Sequence, residues 1–204
     1  MSKNKKKNNF VSKVSINKSL LKSLIYIQKK YLPSQQKKQL LNLKIFRNFI
    51  INCEKKIKYN NKKVIIVSFN SNNKYKINHF LMKNITDVAS NFLGHLIVQN
   101  KEGKKNVLVY DRGRDLSINK GARYHQTREG GSIHTDNVNL SLKWNYMILS
   151  CLSEGQVGGE TILINAKDIY EKLRKRFKLA KKILQKNCLH RKQGTALTLD
   201  NILI

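Results

Sequence analysis

The residues with the most chemical potential lie together in the run Arg128-Glu129-Gly130-Gly131-Ser132-Ile133-His134-Thr135-Asp136-Asn137. Read as a strand, His134 and Asp136 point to the same face, because strand side chains alternate. One imidazole nitrogen and one carboxylate oxygen can then reach a single metal ion without bending the backbone. A second histidine from a distant strand would complete a two-histidine, one-carboxylate face, which leaves open positions on Fe(II) for a co-substrate and O₂. The glycines ahead of His134 let the chain approach such a metal closely. With five histidines and 12 acidic residues, roughly 0.3 His-x-Asp pairs arise by chance, so the pair alone is weak. The other reading of the same residues is a surface histidine beside an aspartate that caps a turn.

A second group follows, Gly158-Gly159-Glu160-Thr161. Gly158 and Gly159 read as turn residues. Thr161 is either a hydroxyl offered to a ligand or a β-branched residue opening a strand. Gln126, Thr127 and Arg128 read first as a solvated loop. His79, His95 and His125 have no partner at metal spacing, and Trp144 reads as core. Cys53, Cys151 and Cys188 are odd in number and widely spaced, without a CxxC, which suggests reduced thiols in a cytoplasm and no disulfide framework or zinc knuckle.

The elements that must position these residues follow from periodicity. Leu20, Leu21, Leu24 and Ile25 share a helical face, and Leu40, Leu41, Leu43, Phe46, Phe49 and Ile50 do so after Pro33-Ser34. The apolar run 64–69 predicts a buried strand, and 84–93 predicts a helix stopped by Gly94. Segments 95–99 and 107–110 flank Lys101-Glu102-Gly103 and predict a hairpin. Residues 111–132 form a long polar, glycine-bearing loop, of a length that is usually functional or disordered. Segments 133–136, 146–152 and 161–165 are β-like, and 166–185 returns to a helical pattern with Ile169, Leu173, Phe177 and Ala180 on one face. Helices come early and strands late, so the fold class is α+β, built around a sheet. Residues 1–18 read as a basic, disordered tail, and 19–204 as one domain.

Composition narrows the function classes. A chain of 204 residues with 40% apolar content can bury a proper core. No stretch approaches the ~18 uninterrupted apolar residues of a membrane span, and 20–27 lacks the cleavage site of a secretory signal. The net charge is +29, and 33 of the 41 cations are lysine. Residues 1–80 carry 20 cations and a single acid, Glu54. Such a surface attracts polyanions. Nucleic acid is nonetheless not favoured as a partner, because phosphate-reading surfaces favour arginine and interleave aromatics.

The run Gly131-Ser132-Ile133-His134-Thr135-Asp136, followed by Gly158-Gly159-Glu160-Thr161, resembles the TauD/TfdA family of Fe(II)- and 2-oxoglutarate-dependent dioxygenases. Thr161 comes 27 residues after His134, similar to the family's spacing. The apolar segment 144–152 matches the strand expected between the two motifs, and 162–173 matches the strand and helix after them. The resemblance covers about residues 85–193.

It implies Fe(II) bound by His134 and Asp136, 2-oxoglutarate contacted by the Thr161 hydroxyl, and a small-molecule substrate oxidised with O₂ in the cytoplasm, with no membrane. No acid–base or nucleophilic residue is singled out. The implied fold is a double-stranded β-helix (jelly-roll) core with flanking helices, incomplete at its C-terminal end. The family also uses a second histidine and, after it, an arginine for the far carboxylate of 2-oxoglutarate. Here 68 residues follow Asp136, and the sole later histidine, His190, comes 54 residues after it and is followed only by Arg191. Two other readings stay open: a truncated homologue that has lost catalysis, and a basic nucleic-acid-binding protein.

Overall fold

Two short segments with 48 residues between them pair as parallel strands, β1 (Val11–Ser15) and β2 (Val64–Ser68), with Val11 opposite Val64 and Ser15 opposite Ser68. Parallel partners need a long crossover, usually helical, and here three helices supply it. The computed structural model describes residues 10–59, 63–69, 76–99, 102–114, 126–128, 134–135, 144–177, 189–192 and 195–198. The chain is mixed helix and strand, and it divides into two units, Met1–Lys105 with Tyr146–Gln156 and Asn106–Asn145 with Val157–Ile204.

In the first unit the crossover consists of α1 (Lys18–Lys30), α2 (Pro33–Asn42) and α3 (Lys44–Tyr59), and α4 (His79–Leu93) follows β2. Asn17 starts α1, its side-chain oxygen accepting the Leu20 N–H at 2.8 Å. As the periodicity predicts, Leu20, Leu21, Leu24 and Ile25 are all buried on one face of α1.

Pro33 holds Leu32 in the extended region (φ −61°, ψ 151°) and is itself the first residue of α2. The sequence predicts one helical pattern over 40–50, but the structure has two helices. Leu43 leaves the helical region at φ −80°, ψ 92°. Its carbonyl accepts the N–H groups of Phe46 and Arg47, which starts α3, and its side chain packs against the core.

Helix α4 begins five residues before the predicted start. Asn78 caps it, accepting the Leu81 N–H at 2.9 Å, and Ile77, Leu81, Ile85 and Val88 continue the buried stripe back to that cap. The core draws on every helix of this unit: Leu24, Leu40, Phe46, Leu81 and Val88 are all wholly buried.

Gln36 is the buried polar exception on α2. Its amide donates to the Tyr31 carbonyl at 3.1 Å and its Oε1 accepts from Asn84 at 3.4 Å, so burial leaves neither end unsatisfied. Asn84 also donates to the Pro33 carbonyl at 2.9 Å, which ties α4 to the start of α2.

The basic, disordered tail predicted over 1–18 does not hold for residues 11–18. Val11–Ser15 are ladder residues of β1 and Lys18 opens α1, because Val11, Val14 and Ile16 supply apolar surface that β2 and the core bury. Residues 1–9 lie outside the described residues. In the predicted hairpin, whose residues 100 and 101 lie outside the described residues, the Gln99 N–H donates to the Lys104 carbonyl at 2.7 Å, with Gly103 at φ 76°. Val107, Leu108, Val109 and Tyr110 beyond it are about half exposed and outside helix and strand.

In the second unit, α5 (Ala166–Arg176) is capped by Asn165, whose side chain accepts the Lys167 N–H at 3.0 Å. The predicted continuation over 178–185 lies outside the described residues. Near the C-terminus β3 (Leu189–Lys192) pairs antiparallel with β4 (Thr195–Thr198). The predicted strand 146–152 alternates in burial at period two, Tyr146 and Ile148 inward and Met147 and Leu149 outward, but it joins no ladder among the described residues. The same holds for 161–165, where Ile162 is 82% exposed. No helix among the described residues is long and apolar enough to cross a membrane.

Candidate metal centre

His134 and Thr135 are exposed and lie outside helix and strand. Asp136 lies outside the described residues, as do residues 131–133 ahead of the pair and His125. Among the described residues no three His, Cys, Asp or Glu side chains converge on a common point. The donor chemistry remains that of His-x-Asp: one imidazole and one carboxylate suit two positions around a first-row divalent ion.

The turn before Thr161 is the best-defined part of the candidate site. Gly158 and Gly159 take φ 77° and 86°, consecutive left-handed conformations that strain any residue with a β-carbon. No atom lies within 4 Å of where a β-carbon would stand on either glycine. Backbone conformation, not space, therefore calls for glycine at both positions. The turn leads directly into Thr161, whose side chain is exposed. His134 and Thr161 belong to the same unit, whereas the segment between them, Tyr146–Gln156, groups with the N-terminal unit. There Tyr146 donates its hydroxyl to Glu54 at 3.0 Å, the Thr86 and Ser150 hydroxyls pair at 2.6 Å, and Ile148 packs on the core.

Ahead of His134 the structure shows an arrangement that periodicity does not reveal. Arg128 pairs with Asp111, and the Gly113 N–H donates to the other Asp111 oxygen at 2.8 Å. The Arg128 hydrogen bond, then the Gly113 N–H, hold the Asp111 carboxyl below its ordinary range. The Arg112 N–H donates to the Gln126 carbonyl at 3.0 Å, so 111–114 and 126–128 are laced together. The signal in the sequence is an acid and a base at opposite ends of a glycine-bearing loop. The pair holds 126–128 against 111–114.

The remaining predicted positions are scattered. His79 opens α4 and stacks against Phe80 with ring centroids 4.0 Å apart. His95 is exposed. His190 lies on β3 opposite Leu197. Trp144 is half-buried, and its indole N–H has no partner among the described residues. Cys53 and Cys151 are free thiols, and burial pushes the Cys53 thiol above its ordinary value, which keeps it protonated. Comparison with known proteins gives no matching family model, no matching curated protein and no matching solved structure.

Proposed function

We propose that the chain is an Fe(II)- and 2-oxoglutarate-dependent dioxygenase of the TauD/TfdA kind, acting on a small molecule in a reducing cytoplasm and built on a double-stranded β-helix. The observation that carries this reading is the Gly158-Gly159 turn. Its two glycines take left-handed φ values of 77° and 86° just ahead of Glu160 and Thr161, and Thr161 comes 27 residues after His134, similar to the family's spacing. His134 and Asp136 hold the iron, and the Thr161 hydroxyl donates to a carboxylate of 2-oxoglutarate. When bound, iron and 2-oxoglutarate would supply O₂-dependent oxidation of an unactivated C–H bond, with 2-oxoglutarate oxidatively decarboxylated to succinate and CO₂.

The test is anaerobic titration of the protein with ferrous iron and 2-oxoglutarate. The visible iron-to-oxoglutarate charge-transfer absorption is expected, absent in His134→Ala. In Thr161→Val it is expected to need about fivefold more 2-oxoglutarate, the loss of one hydrogen bond of about 1 kcal/mol. No absorption in the unaltered protein, with iron content unchanged by His134→Ala, would overturn the proposal.

A further inference from the structure

The α1–α2 face of the first unit carries a feature that the proposed oxygenase chemistry does not use. No acidic residue precedes Glu54 in the chain. Two adjoining depressions of about 440 and 400 Å³ lie along this face and share Tyr31 and Gln39 on their walls. Lys22, Tyr26 and Asn42 line the first beside them, and Lys38 the second. Neither depression has a carboxylate in its lining.

Tyr26 is 53% exposed, and its ring lies 6.4 Å from that of Tyr31. Lys30 stands over both rings, its ammonium 5.1 Å and 5.9 Å from their centroids. The linings thus place cations beside a half-exposed aromatic ring, the combination by which single strands are held: phosphates on cations, a base on the ring face that Lys30 leaves open. Gln39 and Asn42 add amides that can donate to and accept from base edges.

A lipid surface fits less well. The apolar residues of α1, Leu20, Leu21, Leu24, Ile25 and Ile27, are buried in the core, so the helix has no apolar face left to insert.

From this geometry we infer that the α1–α2 groove binds single-stranded nucleic acid, with Lys22 and Lys38 on phosphates and Tyr26 stacked on a base. The test uses the full chain and a labelled 20-nucleotide oligothymidylate, followed by fluorescence anisotropy over a salt series. Binding is expected to weaken steeply with salt. Lys22→Glu with Lys38→Glu should weaken it about tenfold or more and flatten the log–log salt slope by about 1.4, the two phosphate contacts at ~0.7 each. Tyr26→Ala should weaken it about tenfold with the slope unchanged, as loss of stacking does. Lys167→Glu with Lys175→Glu on α5 removes the same charge elsewhere and should leave binding within about twofold. The inference is overturned by no binding at moderate salt, or by equal losses from the α5 pair and the groove pair. Preference for phosphatidylserine vesicles over the oligonucleotide, with the same dependence on Tyr26, would also overturn it.

Discussion

Glu54 illustrates how much a single residue's environment adds to its identity. It is the sole acid of residues 1–80, and the structure surrounds it with two donors: Lys58 one helical turn later at 2.8 Å, and the Tyr146 hydroxyl at 3.0 Å. Those hydrogen bonds, Lys58 first, hold its carboxyl below the ordinary glutamate range. The consequence for stability has a definite sign. Between the unfolded value of about 4.3 and the lower folded value, the unfolded chain binds a proton that the native chain does not. Stability from this site is therefore present above that window and lost as pH falls through it. Moving from pH 5 to pH 3 should lower the Tm of the unaltered protein more than that of Glu54→Gln. Equal drops would show that the site does not contribute. The Lys58 contact is visible in the sequence as an i, i+4 pair. The Tyr146 contact, 92 residues away, is not. A similar contrast holds at the candidate metal centre, where His134, Asp136 and Thr161 stand out by motif, whereas Asp111 and Arg128 are visible only as an acid and a base 17 residues apart whose pairing the fold decides.

Elements were legible in proportion to how much of their definition is local. Helix α1 follows from its apolar stripe and its Asn17 cap, both contained within a few residues. Asn17→Ala should cost about 1 kcal/mol in a urea melt. Asn17→Asp should hold stability at or above the original value, because the first turn of α1 has no acidic residue to complement its N-terminal dipole. The break at Leu43 was not legible, since nothing in the side-chain pattern forbids a helix from 40 to 50. It is decided by the Leu43 side chain packing on the core while its carbonyl starts α3. Strand β2 was read from its apolar run, yet its partner β1 was hidden in a segment whose lysines and asparagines read as tail. β-pairing depends on a distant strand, so composition near β1 could not announce it. Phe46 shows the strength of the resulting packing: it is wholly buried with its ring 6.1 Å from that of Phe92. Phe46→Ala should lower stability by about 3–5 kcal/mol, as measured by chemical denaturation.

At the scale of the whole molecule, charge and burial are unevenly shared. Every buried apolar residue among the described ones belongs to the first unit. A net charge of +29 sets the folded chain against its own repulsion. Among the described residues most ion pairs are surface contacts of small individual worth, such as Lys104–Glu102 and Arg174–Glu171. Raising sodium chloride from about 20 to 500 mM shortens the screening length several-fold and should raise the Tm. A fall would mean that the ion pairs outweigh the repulsion. By itself, the sequence determined the helices that bury a stripe of their own, the candidate ligands His134 and Asp136, and the lysine excess, because each is written in residue types at short spacing. Tertiary structure decided what depends on distant partners: the β1–β2 pairing, the break at Leu43, the Glu54–Tyr146 contact and the loop lacing through Asp111 and Arg128. It also gathered part of a diffuse excess of lysines beside aromatic rings, because packing α1 against α2 brings Lys22, Tyr26, Tyr31 and Lys38 to the walls of two adjoining depressions.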